Sequence, residues 1–257
     1  MMARMQKEDF TIKNREGKRM PATLRKPEGE VIGVFVLLHG LGGWKDQAVI
    51  ASVANAACAM GYRTITFDAA DGAVAPDADF FGQTTSGYLE DVEDVMRYLH
   101  ESKLATQPIV FAGHSMGGLV ALTYAASHLK EIEKLVLLAP AVSWRVMWWA
   151  QIPYFLLWLI VGHRRWYGPY GSRPRLGRRW VFDFFRFDGY RSARTISIPI
   201  LIVSAGKDHT VARPWEHRSF ARAFKSATHQ VVPGAAHAFP KHTEEAAGIV
   251  TSWLTSS

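Results

Sequence analysis

A serine hydroxyl is a poor nucleophile until a base takes its proton, and the base works best when a carboxylate fixes its orientation. Ser115 is a candidate for this chemistry, in the pentapeptide Gly113-His114-Ser115-Met116-Gly117. Such a pentapeptide says little alone, but its flanks make it specific. Pro108-Ile109-Val110-Phe111-Ala112 reads as a strand running into it, and Met116 to Leu122 as a helix leaving it. That is the strand-turn-helix setting in which a serine is held on a sharp turn. Glycines two residues before and two after the serine suit a turn that forces backbone into close contact.

The base and its orienting acid should follow at the carboxyl ends of later strands. His237, in Gly234-Ala235-Ala236-His237, follows the last expected strand, and Asp208, in Ala205-Gly206-Lys207-Asp208-His209, follows the one before it. The chain order Ser, Asp, His fits this architecture. His209 competes for the base, although its adjacency to Asp208 makes that carboxylate's orienting bond awkward to accept. Asp183 and Asp188 compete for the acid. Charge developing on a carbonyl oxygen needs preorganised donors. The loop His39-Gly40-Leu41-Gly42-Gly43 follows an apolar strand, and the backbone N–H groups of Leu41 and Met116 are the expected pair. A phosphate-cradling role fails on pattern, since neither G-x-G-x-x-G nor a Walker lysine and serine is present.

The elements that must position these groups alternate along the chain. Phe10 to Lys13 and Met20 to Arg25 flank a polar turn and suggest a hairpin. Apolar, β-branched runs follow at Val31 to Leu38, Arg63 to Phe67, Pro108 to Ala112, Lys134 to Leu138, Pro199 to Val203 and His229 to Val232. Helical spacing appears between them at Asp46 to Met60, Gly87 to Leu99, Met116 to His128, Arg213 to Ala223 and Thr243 to Leu254. The expectation is an α/β fold: a mostly parallel, doubly wound sheet with helices on both faces. The rhythm breaks only between Leu138 and Pro199, where no clean strand is read. A helical cap over residues 142–191, inserted before the penultimate strands into a body of residues 1–141 and 192–257, is the natural assignment, because ligands bind at that end of such sheets.

The chain has 257 residues, 48% of them hydrophobic and 21% charged, which excludes a disordered, fibrous or disulfide-scaffold protein. Its net charge of +7 is local: nine arginines and two aspartates between His163 and Arg194 account for all of it. Six of the nine tryptophans lie between Val142 and Tyr190. The apolar run from Trp148 to Val161 falls short of the about 20 residues a membrane span needs and is interrupted by Gln151 and Pro153. A lid roofing an acyl pocket is expected, with Trp148, Trp149 and Phe155, together with His39 and Gly40, at the substrate. Contact of the cap with an anionic membrane surface is a further expectation, set against a solvated arginine face with local ion pairs. Nucleic acid is not an expected partner. One cysteine, Cys58, allows no intramolecular disulfide, and Met1 to Asp9 has no apolar core of export-signal length, so a cytoplasmic location is expected.

The set His39-Gly40, Gly113 to Gly117, Asp208 and His237, spread over almost the whole chain, resembles the α/β-hydrolase superfamily. Within it the resemblance is to serine hydrolases that include monoacylglycerol lipases, lysophospholipases and feruloyl esterases. It implies carboxylic-ester hydrolysis through an acyl-enzyme, on an apolar acyl or aryl ester, with neither metal nor organic cofactor. Acyl transfer or cofactor-free peroxidase chemistry on the same three residues are the alternatives, as is non-catalytic binding of a lipid or other ligand. Those relatives carry an R-G-x-G-like turn after the fourth strand, where this chain has Asp68-Ala69-Ala70-Asp71-Gly72. Ser115 stands where dehalogenases and epoxide hydrolases place an aspartate, which argues against both chemistries.

Overall fold

The structure, a computed structural model, describes residues 5–105, 108–143, 156–166, 168 and 171–256. Its centre is an eight-stranded sheet built from β1 (Gln6–Lys13), β2 (Arg19–Lys26), β3 (Gly33–Leu38), β4 (Tyr62–Phe67), β5 (Ile109–His114), β6 (Ile132–Leu138), β9 (Ile200–Ala205) and β10 (Ala227–Val232). The spatial order is β1-β2-β4-β3-β5-β6-β9-β10. The opening hairpin joins antiparallel to β4, and every later pairing is parallel.

The unbroken apolar runs follow from burial on both faces. In β3, Val34, Val36 and Leu38 enter one core while Phe35 and Leu37 enter the other. The same alternation places Phe111 of β5 in the first core and Val110 and Ala112 in the second. Helices α1 (Ala48–Ala59) and α8 (Thr243–Ser256) cover the second face, and α2 (Thr85–Glu101), α3 (Met116–Ser127) and α7 (Pro214–Ala221) the first. Helix α2 begins two residues earlier than its periodicity suggests, because the Thr84 hydroxyl accepts the Gly87 N–H and caps it.

Between β6 and β9 the chain leaves the sheet. Residues 156–161 form helix α4, followed by β7 (His163–Arg165), β8 (Arg175–Gly177), α5 (Arg179–Phe184) and α6 (Gly189–Ala193). The antiparallel β7–β8 pair corrects the expectation of a strandless stretch; three residues per strand are too few for alternation to register in sequence. Two aspartates tie the segment down. Asp183 accepts the backbone N–H and hydroxyl of Ser86 at 2.8 and 2.6 Å, joining α5 to the start of α2. Asp188 caps α6 through Tyr190 N–H, and its backbone bridges to Ser143. Both are therefore structural, and neither stands beside Ser115. No helix among the described residues is long and apolar enough to cross a membrane.

Candidate active site

Strand β5 ends at His114, and Ser115 turns the chain into α3 with φ 56° and ψ −121°. Few non-glycine residues occupy positive φ, and the surroundings impose it. A Cβ at Gly113 would stand 2.2 Å from the carbonyl oxygen of Gly117, and one at Gly117 would stand 2.3 Å from that of His39. Neither glycine can be replaced without moving backbone. The sharpness of the turn leaves the Ser115 side chain at the N-terminus of a 12-residue helix, where free N–H groups and the helix dipole favour negative charge.

His237 Nε2 lies 2.8 Å from Ser115 Oγ, and His237 Nδ1 lies 2.7 Å from Asp208 Oδ2. The other Asp208 oxygen accepts the N–H groups of Thr210 and Val211 at 2.8 and 3.2 Å. Burial works against the Asp208 charge, but the bond from His237 and the two backbone donors outweigh it and hold the carboxyl below its ordinary range. With Asp208 ionised, the network assigns the proton on Nδ1 of neutral His237 and leaves Nε2 to accept from Ser115. His209 is exposed and takes no part.

Sequence reasoning missed His114. Its Nε2–H donates to the carbonyl of His237 at 3.0 Å, and its ring centroid lies 4.9 Å from that of His237. Its buried Nδ1 has no partner. Burial, then the neighbouring His237, push its pKa down to about 3, so it stays neutral and holds the backbone of His237. Its place inside the pentapeptide was the only signal for it.

The loop after β3 packs directly on the serine: a Cβ at Gly40 would approach Ser115 Cβ to 2.9 Å. Leu41 and Met116, whose N–H groups are the expected oxyanion donors, both line the cavity over Ser115. His39 differs from expectation. It is sealed beneath the loop, outside the cavity lining, with Nδ1–H donating to Gly40 O at 2.8 Å and Nε2 accepting Ala69 N–H at 3.1 Å. Tyr88 stacks on its ring and bonds its carbonyl. It therefore shapes the loop from below. The Asp68-Ala69-Ala70 turn completes this support, since Asp68 accepts Lys45 N–H at 2.6 Å and Asp91 accepts Ala70 N–H at 2.8 Å.

The cavity measures about 470 Å³ and is bounded on its far side by Trp158, Trp166, Trp180 and Phe184 of the β6–β9 segment, with Arg164 and Arg165 beside them. The rings form a connected stack: Trp158 to Trp180 at 5.6 Å, and Trp180 to Phe184 at 4.9 Å between centroids. Two indoles reach the body. Trp166 Nε1–H donates to Leu41 O at 3.1 Å, and Trp180 Nε1–H points at Met116 Sδ at 3.4 Å. The i, i+4 spacing of Trp180 and Phe184 was a readable sign of a shared face; nothing local singled out Trp166. The expected contacts Trp148, Trp149 and Phe155 lie outside the described residues.

A family model described as alpha/beta hydrolase family matches residues 35–249. The chain belongs to that family. Among curated proteins it is 34% identical over 111 residues to the sn-1-specific diacylglycerol lipase ABHD11 of Xenopus laevis, covering 42% of this chain and 33% of that protein, so the match spans about a third of the relative's length. Among solved structures, Est1E from Butyrivibrio proteoclasticus with bound ferulic acid superposes with a TM-score of 0.83 at 21% identity, over 96% of this chain and 98% of that one. The alpha/beta hydrolase GrgF from Penicillium sp. sh18 gives 0.78 at 14% identity over 97% of each chain. At these identities the superpositions show the shared hydrolase fold.

Buried histidines make the body acid-sensitive. His39, His114 and His217 are all held below 6.5 chiefly by burial, His114 at about 3 and His217 at about 4. As pH falls below 6.5 the unfolded chain takes up protons that the folded chain refuses, so stability falls with pH. Asp91 and Asp68 act in the opposite sense, because burial raises both carboxyls, that of Asp91 to about 6, and they offset part of this loss. Urea titrations are expected to give a lower unfolding free energy at pH 4 than at pH 6. Constant or rising stability across that window would contradict the assigned protonation states.

Proposed function

We propose that this alpha/beta hydrolase is a serine carboxylic-ester hydrolase acting through an acyl-enzyme on esters with an apolar acyl or aryl group. The observation that carries the reading is the continuous hydrogen-bonded line from Ser115 through His237 to Asp208, opening into an aromatic cavity.

Ser115 Oγ attacks the ester carbonyl carbon as its proton passes to His237 Nε2. Asp208 keeps the resulting imidazolium oriented and compensates its charge. The carbonyl oxygen, now negative, lies against the N–H groups of Leu41 and Met116 at the positive end of α3. His237 then protonates the leaving alkoxide, the alcohol departs, and an ester of Ser115 remains. Water replaces the alcohol, gives its proton to His237 and attacks the acyl carbon; return of that proton to Ser115 Oγ releases the acid.

The size and apolar lining of the cavity fit an acyl chain or an aromatic acid. Ferulic acid in the Est1E structure and the lipase activity in the name of the Xenopus protein are in keeping with both choices. In this reading the β6–β9 segment is a lid, and its tryptophans also brace the oxyanion loop.

With nitrophenyl esters graded by acyl length, Ser115→Ala is expected to lower kcat by about 10⁴-fold or more, and Asp208→Asn by a similar order. A Ser115→Ala enzyme that turned over at the wild-type rate would exclude the mechanism. Trp166→Phe keeps the ring but removes the donor to Leu41. It should lower kcat roughly threefold to tenfold with KM for short esters little changed. A raised KM at constant kcat would instead make Trp166 a substrate contact only.

A further inference from the structure

The outer side of the β6–β9 segment has no counterpart in the mechanism. Helix α4 turns Trp158 inward, 2% exposed, with its indole N–H bonded to Leu176 O and its ring on the cavity. Leu159 is half-buried against the core, but the other four face out: Leu156 is 52% exposed, Leu157 59%, Ile160 81% and Val161 52%. A six-residue stretch with four such side chains in solvent is an apolar patch that a soluble surface ordinarily avoids.

Positive charge adjoins the patch. Arg178 donates to Leu159 O at 3.2 Å and so lies along α4, with Arg179 next to it. In the β7–β8 pair Arg165 stands directly opposite Arg175, and both are exposed. Like charges facing across a two-stranded ribbon are unfavourable unless an anion lies between or above them. The aspartates of the segment stand elsewhere: Asp188 caps α6, and Asp183 holds Ser86 and lies 3.6 Å from Arg186. Positive charge around exposed aliphatic side chains is the pattern of an interfacial helix on anionic headgroups.

We infer that this face docks peripherally on an anionic lipid surface, with Leu156, Leu157, Ile160 and Val161 entering the headgroup boundary and the surrounding arginines pairing with lipid phosphates. Because Trp158 on the same helix lines the cavity, docking also sets the cavity against the lipid. Delivery of a lipid ester to Ser115 rests on the ester-hydrolase reading above; the docking does not.

The test is co-sedimentation of the full chain with vesicles of pure phosphatidylcholine or of equal parts phosphatidylcholine and phosphatidylglycerol, alongside hydrolysis of a short soluble nitrophenyl ester. The wild type should sediment with the anionic vesicles only, and raised salt should release it. Replacing Arg175, Arg178 and Arg179 by Gln should weaken binding roughly a hundredfold at low salt. Leu157→Ser with Ile160→Ser should abolish binding, and both variants should retain soluble-ester turnover, which also shows that they fold. Equal sedimentation with neutral vesicles, none with either, or variants that bind like the wild type would overturn the proposal. So would self-association that Ile160→Ser removes, which would make the face a contact between copies of this chain. Vesicle binding without ester hydrolysis would uphold the docking and sink the hydrolase reading.

Discussion

The backbone of Ser115 is forced to φ 56° by the crossing of three chain segments, and the rest of the site is arranged around that turn. Strand β5 arrives with Gly113 against Gly117, the β3 loop passes with His39 O against Gly117, and Gly40 rests on Ser115 itself. A side chain at either pentapeptide glycine would separate the segments. Holding them together places a hydroxyl at a helix N-terminus, with Leu41 and Met116 lining the cavity over it. The strain at one residue is sustained by a fully buried parallel sheet, because β3 and β5 are sealed on both faces and cannot shift independently.

Support for the remaining groups comes from neutral, buried hydrogen bonding. His114 holds the backbone of His237, His39 holds the turn at Ala69, and His217 joins Ser204 to Pro140 O beyond β6. Burial keeps all three rings uncharged, and His39 requires this, since its Nε2 must accept Ala69 N–H. The positive charge of the molecule is meanwhile kept off the body and concentrated in the β6–β9 segment, whose inner face is aromatic. That segment is tethered where chemistry would be most sensitive to it, at Leu41 through Trp166 and at Met116 through Trp180.

Much of this was legible in the amino-acid order because two strong local codes coincide. Doubly buried strands leave unbroken apolar runs, so β3, β4, β5, β6 and β9 were anticipated to within a few residues, while the opening hairpin, whose first strand is mostly exposed, was read from its polar turn. The elbow needs glycine at fixed positions, so Ser115 was readable, and strand order then pointed to Asp208 and His237. What escaped depends on contacts between distant segments. His39 resembles a substrate contact in sequence, yet its partner is the turn at Ala69, thirty positions away, which draws it beneath the loop. Three-residue strands such as β7 and β8 carry no period. The tryptophans facing the cavity are chosen by how the segment folds back, so composition announced an aromatic segment without saying that Trp158, Trp166 and Trp180 would line the cavity.

The central claim is that the line from Asp208 through His237 makes Ser115 Oγ the nucleophile. Treatment with an alkyl fluorophosphonate followed by peptide mass spectrometry tests it directly, since only an activated hydroxyl displaces the fluoride. A single adduct on the peptide carrying Ser115, formed far more slowly in His237→Ala, is the predicted result. An unlabelled Ser115, or a label on another residue, in an enzyme that still hydrolyses esters would contradict the account.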